Sequence, residues 1–287
     1  MLVPIGHVAE SSDRSKTNFV QVKGRAQDIE RLYASAGVLL PTSSGLGKLI
    51  ANAKTLSDRW LCNEMEGITM VHAFYALHLQ RVADAVLALV EVPTKERYLN
   101  SLTSGDIDFF SRGFSNAKDI LWELELWSLL RERSASALLS DPPDIEVHFS
   151  DKKIGIACKK IYSENNVEKV LSQAVEQVED DFDVGVVAIN LDELVPGGTV
   201  LKVNTEQQMA VRLQQHCADF LGRHERHFRK YLSTGRLVAA LVSVHVIADV
   251  AEWDVPFNNC RQSTVWTIPS LTAEKEALMR QFQRIVL

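Results

Sequence analysis

Between Ile145 and Lys159 the sequence alternates twice, and this constrains the fold more than any other stretch. Ile145, Val147 and Phe149 interleave with Glu146 and His148; Ile154, Ile156 and Cys158 interleave with Gly155, Ala157 and Lys159. Two period-2 runs joined by Ser150-Asp151-Lys152-Lys153 predict a β-hairpin. Side chains alternate across a strand, so the hairpin has an apolar core face and a second face carrying Asp144, Glu146, His148, Ala157 and Lys159. A turn centred between Asp151 and Lys152 sets Phe149 opposite Ile154, Glu146 opposite Ala157 and Asp144 opposite Lys159. Two acids and a lysine then lie within cross-strand reach.

The flanks extend this into an α/β fold. A helix is expected over about 115–133, with Glu123 and Glu125 set among Leu121, Trp122, Leu126 and Trp127. Acids in such surroundings are expensive to bury unless paired or bound to a metal. Leu138-Leu139 reads as a short strand before the turn Asp141-Pro142-Pro143. Ser163 caps a helix with apolar positions Val167, Val170, Leu171, Ala174 and Val178, and carrying Gln173 and Gln177. Val184 to Leu191 is a continuous apolar strand of the kind buried on both faces. Thr205-Glu206-Gln207-Gln208 opens a long helix toward Tyr231. Leu237 to Val250 is a second buried strand, Ser263 to Ile268 a last strand, and Thr272 to Val286 a closing helix.

The front of the chain reads differently. Residues 1–25 form an arm, with Asn18 to Val22 its best strand candidate. Residues 26–114 are mostly helical: Arg25 to Ala36, a helix capped by Ser43 or Ser44 and running through Trp60, Gly67 to Val92 (stopped by Pro93) and Ser101 to Phe110. The expected organisation is thus an arm over 1–25, a helical domain over 26–114 and an α/β domain over 115–287, with a boundary near Gly113.

Composition limits the partners. The chain has 287 residues, 46% hydrophobic and 24% charged, typical of a soluble globular protein. A net charge of −6 gives no global attraction to nucleic acid, so any such contact needs a local basic patch. Cys62, Cys158, Cys217 and Cys260 are scattered without a CxxC pair, which fits a reducing cytoplasm. No signal peptide is expected, and no uncharged run approaches the ~18 residues of a membrane helix.

Glu123, Pro143-Asp144, Cys158-Lys159 and Gln177, in that order on helix, strand, strand and helix, resemble the PD-(D/E)xK nuclease superfamily. The resemblance covers roughly 115–191 and leaves the helical front out. It implies a restriction-endonuclease-like mixed sheet flanked by helices, and metal-dependent hydrolysis of nucleic acid, with DNA the expected substrate. Catalytic residues would be Glu123, Asp144, Lys159 and Gln177. Glu123, Asp144 and the Cys158 backbone carbonyl would bind Mg²⁺ or Mn²⁺, and Lys159 would position the attacking water. The family carries Glu, Asp or Gln two residues before the lysine; here that residue is Ala157. Glu146 or Glu125 could supply the missing carboxylate. The alternative is a non-catalytic nucleic-acid-binding or assembly module on a degenerate nuclease fold. Lys160, Arg226, Arg229 and Lys230 are the candidate nucleic-acid contacts, and the helical front a candidate surface for a protein partner.

Each residue also has a plainer reading: partly exposed helix acids, a turn aspartate, edge-strand lysines, a surface glutamine. Three weaker signals are set aside. Ser43-Ser44-Gly45-Leu46-Gly47-Lys48 lacks the first glycine of a phosphate loop and the Ser/Thr after lysine. His224 and His227 are three apart, not the HExxH spacing. Cys158 falls on the core face, which argues against a reactive thiol.

Overall fold

The structure is a computed structural model that describes residues 8–15, 19–64, 66–133, 136–149, 152–178, 182–269 and 271–287. By packing it divides into two units: 15–128 with 255–259, and 1–14 with 129–254 and 260–287. The sequence boundary near Gly113 differs from this division, which falls at Ser128/Leu129.

The first unit is helical. It contains α1 (Phe19–Ser35), α2 (Gly45–Leu61), α3 (Met70–Leu87), α4 (Lys95–Thr103) and most of α5 (Asn116–Arg133). The expected strand at Asn18 to Val22 is corrected: Phe19 to Val22 are the first turn of α1, and Asn18 lies outside the described residues. Val22, Ala26, Ile29, Leu32 and Tyr33 are buried at three-to-four-residue spacing, and this longer period overrides the short alternation. Tyr33 donates its hydroxyl proton to the Leu99 carbonyl at 2.9 Å, and burial holds its proton affinity well above the usual tyrosine range. Of the two candidate caps of α2, Ser44 is the one that forms, accepting from the Gly47 N–H at 3.0 Å. The helix expected over Ser101 to Phe110 is instead α4, six residues earlier, followed by a loop in which Asp106 and Asp108 each accept a backbone N–H two residues on. Among the described residues one segment, Met70–Glu91, is long and apolar enough to cross a membrane by length and composition. Half of its apolar window is buried within the protein, as in a core helix.

The second unit is α/β. Its strands are β1 (Val8–Ser15, of which all but the last residue belong to this unit), β2 (Ala137–Leu139), β3 (Ile145–Phe149), β4 (Lys152–Lys160), β5 (Val184–Asn190), β6 (Val200–Val203), β7 (Leu237–Val250) and β8 (Asn258–Trp266, starting in the other unit). They make a mixed sheet in the order β1-β8-β7-β5-β4-β3-β2, with β6 also paired to β7. β2, β3 and β4 form an antiparallel meander. β5 is parallel to β4, and β7 parallel to β5, so crossover helices must connect them. Those helices are α6 (Val167–Val178) and α7 (Glu206–Ser233). Both lie on one face, where Leu171, Ala174, Val178, Leu213, Phe220 and Phe228 close a core over Ala157, Val187 and Ala240. Gly185 permits this closeness: a Cβ there would sit 2.5 Å from Val178 Cγ2. Thr205 caps α7 through the Gln208 N–H as expected, but Gln208 Oε1 accepts from the Asn204 N–H, one residue before the cap, so the return bond of the expected capping box is displaced by one residue. α8 (Ala273–Val286) closes the chain with Leu278, Met279, Phe282 and Val286 buried.

Candidate functional site

The hairpin forms with the expected faces and a different register. Ile145 pairs with Ile156, Val147 with Ile154 and Phe149 with Lys152. The shift from the expected pairing is two residues, so every side chain keeps its face. The turn residues Ser150 and Asp151 lie outside the described residues. Continued one step, the register sets Asp144 level with Ala157 rather than with Lys159.

Asp144 and Lys159 still meet, diagonally. Lys159 Nζ is 3.5 Å from Asp144 Oδ2, with both side chains less than one-fifth exposed. The same oxygen accepts the Cys158 backbone N–H at 2.6 Å. Burial raises the proton affinity of the Asp144 carboxyl, and Lys159 with the Cys158 amide offsets only part of that.

The expected replacements for the missing carboxylate are engaged elsewhere. Glu146 is level with Gly155, not Ala157, and takes Lys153 at 3.2 Å and His148 as partners. Burial would raise its pKa, but these two partners hold it below the ordinary glutamate value. Glu125 lies in the helical unit in a two-pronged pair with the Arg81 guanidinium, the second prong at 2.8 Å. Glu123 is also in the helical unit, 7% exposed. Ala157 is fully buried and belongs to the apolar core under α6. The position beside Asp144 is therefore filled by hydrocarbon packing. Gln177, at the end of α6, has its Oε1 buried without a hydrogen-bond partner.

Mg²⁺ and Mn²⁺ require convergent oxygen donors. Beside Lys159, the Asp144 carboxylate is already bonded to an amide and an ammonium, and the negative charge of Asp141 also acts on it. Among the described residues no group of three or more His, Cys, Asp or Glu side chains is placed to hold a metal.

The candidate nucleic-acid contacts also change character. Lys160 is a correction: it points into the protein, 2% exposed at the side chain, with Nζ 2.7 Å from Asn190 Oδ1 and 3.6 Å from Asp192 Oδ2. Arg229 pairs with Glu225 at 2.6 Å and lies over the Trp266 ring. Lys230 pairs with Glu168 at 3.2 Å, and exposed Arg226 donates to His227.

The buried cluster around Lys160 escaped the sequence reading. Lys160, Asn190 and Ser243 are level on β4, β5 and β7, at the carboxyl ends of β4 and β5. Asn190 Oδ1 accepts from Lys160 and from the Asp192 N–H, and Asp192 Oδ1 accepts the His245 N–H at 2.8 Å. Ser243 donates to the Gln262 carbonyl. The available signal was Asn190-Leu191-Asp192-Glu193, a polar group ending an apolar parallel strand, where open α/β sheets place ligands. In this chain the group knits three strands together.

Comparison with family models, curated proteins and solved structures gave no match.

Proposed function

We propose that the α/β unit is a restriction-endonuclease-like module that binds nucleic acid, DNA first, without cutting it. The order α5, β2-β3-β4 meander, α6, β5 parallel to β4 supports the fold reading. The apposition of Asp144 and Lys159 supports a phosphate-facing corner, because an ammonium held by a single carboxylate can exchange that partner for a phosphate oxygen. The observation that carries the non-cutting half is Ala157, buried in apolar core beside Asp144. Hydrolysis is the second reading, favoured by the retained Asp144–Lys159 pair.

The test measures anisotropy of fluorescein-labelled duplex and single-stranded DNA with the full chain, in EDTA and in Mn²⁺, followed by gel analysis of the same samples. Binding should occur in both buffers, weaken with salt, and weaken several-fold in Lys159→Ala, with the DNA intact. Mn²⁺-dependent cutting that disappears in both Asp144→Ala and Lys159→Ala would replace this reading with hydrolysis. No binding at low salt would remove nucleic acid from the account.

A further inference from the structure

The helical unit has a pocket of about 480 Å³ where the start of α2, the middle of α3 and the loop after α4 meet. This volume falls within the ~300–1,000 Å³ range of small-molecule sites. Its walls are chemically divided. Tyr75 and His78 from α3 and Phe109 from the loop form an aromatic side, with the His78 ring stacked on Phe109 at 4.3 Å. Buried Leu49 and Ile107 make an apolar floor. Asp106, Asp108 and Lys48, the last from the glycine-containing segment at the start of α2, line it as well, with Asp106 and Lys48 exposed to solvent at its rim.

The charges are not paired with one another. Among the described residues, neither Asp106 nor Asp108 lies within ion-pair distance of a cationic side chain, and Lys48 lies within that distance of no acid. Each aspartate spends its Oδ1 on a backbone N–H of its own loop, Asp106 on that of Asp108 and Asp108 on that of Phe110, both at 2.8 Å. The glycines here answer to packing rather than to a phosphate cradle: a Cβ on Gly45 would meet the Ile107 nitrogen at 2.8 Å, and one on Gly47 would meet the Pro41 oxygen at 2.2 Å. Burial raises the Tyr75 hydroxyl pKa, and both aspartates push it further, so the aromatic wall lies in their negative field. Both signs of charge therefore reach one part-apolar pocket without meeting.

We propose that this pocket binds a small zwitterion, an α-amino acid with an apolar side chain. Its ammonium group lies on the Asp106 and Asp108 side, its carboxylate at Lys48, and its side chain against the floor and the aromatic wall. A simple amine would leave Lys48 unanswered, and a simple carboxylate would face two like charges. The proposal is independent of the nucleic-acid reading, which concerns the other unit.

Calorimetry on the full chain decides it with three probes: L-phenylalanine, phenethylamine, which lacks the carboxylate, and N-acetyl-L-phenylalanine, which lacks the ammonium. The intact zwitterion should bind about tenfold more tightly than either analogue, the scale of one lost charge-assisted hydrogen bond. Lys48→Gln should erase the advantage over phenethylamine. The double change Asp106→Asn with Asp108→Asn keeps the Oδ1 acceptors of the loop and should erase the advantage over the N-acetyl compound. Equal affinity for all three probes, or no heat with L-phenylalanine at about 1 mM, overturns the proposal. The comparison of probes on the unmodified chain stands even where a variant fails to fold.

Discussion

Lys159 and Lys160 are neighbours in sequence and opposites in surroundings. Lys159 stands on the α6 face of β4, about one-fifth exposed, with Asp144 at 3.5 Å as its acidic partner. Lys160 stands on the other face, almost wholly enclosed, with Asn190 at 2.7 Å and Asp192 at 3.6 Å. The ion-pair distances are nearly equal, so distance does not separate the two corners. Their coordination does. Lys160 is tied to a strand end and a turn whose other polar groups are bonded in turn to β7. Lys159 is held by a carboxylate whose ionisation burial opposes. One lysine completes a network, and the other leaves its partner under electrostatic strain. A ligand-facing site is expected at the second kind of corner, because there the lysine is partly exposed and is not tied into a network.

The largest effect should come from emptying the buried corner. Lys160→Met leaves Asp192 buried without its ammonium, and breaking such a pair costs about 3–5 kcal/mol. Lys159→Met removes a cation from a more open place, where Asp144 can take up a proton instead, and should cost less than the Lys160 change. Urea denaturation of the two variants side by side measures the contrast. Equal losses would break it and make Lys159 a structural residue like its neighbour.

Part of this contrast was legible in the sequence. The alternation that turns Lys159 toward the polar face turns Lys160 toward the core face with Ile156 and Cys158, so assigning Lys160 to a nucleic-acid surface ignored its own parity. The hairpin faces were readable and its register was not, because period 2 fixes which side a residue takes and leaves shifts of two residues open. The caps at Ser44 and Thr205 were readable because they are local, each closed within three residues. The Asn190 and Asp192 partners were not, since they join positions 30 or more residues apart that only the parallel pairing of β4, β5 and β7 brings together. The short strand expected at Asn18 to Val22 failed for the same reason: burial of Val22, Ala26 and Ile29 is decided by the packing of the helical unit, not by those five residues alone.

The next effect tests the absent carboxylate. Ala157→Glu puts a charged, larger side chain into the core beneath α6. Overpacking and charge burial together should destabilise the protein by about 2–4 kcal/mol. Thermal unfolding followed by circular dichroism gives the loss, and Mn²⁺ incubation with plasmid DNA should show no cutting. A variant that keeps its melting temperature and gains metal-dependent cutting would mean that the place beside Asp144 can open to solvent, and the two lysine corners would then differ more than proposed.

The smallest effect is the most discriminating, because its sign depends on which force governs Asp144. Burial raises the native carboxyl pKa above its unfolded value despite Lys159 and the Cys158 N–H. The folded state therefore holds the proton more tightly. Whatever stability that proton contributes is fully present below the unfolded value of about 3.9 and is lost as pH rises through the native pKa. At pH 7 the ionised group is a net burden. Asp144→Asn keeps an oxygen for the Cys158 N–H and removes the charge, so it should stabilise the protein at pH 7 by up to about 1 kcal/mol. The gain should shrink as the pH falls and vanish below about 3, where aspartate is protonated in both states. Paired urea titrations across that range give the curve. A variant less stable than wild type at pH 7 would show that pairing with Lys159 outweighs burial. The corner would then be a finished ion pair of the Lys160 kind.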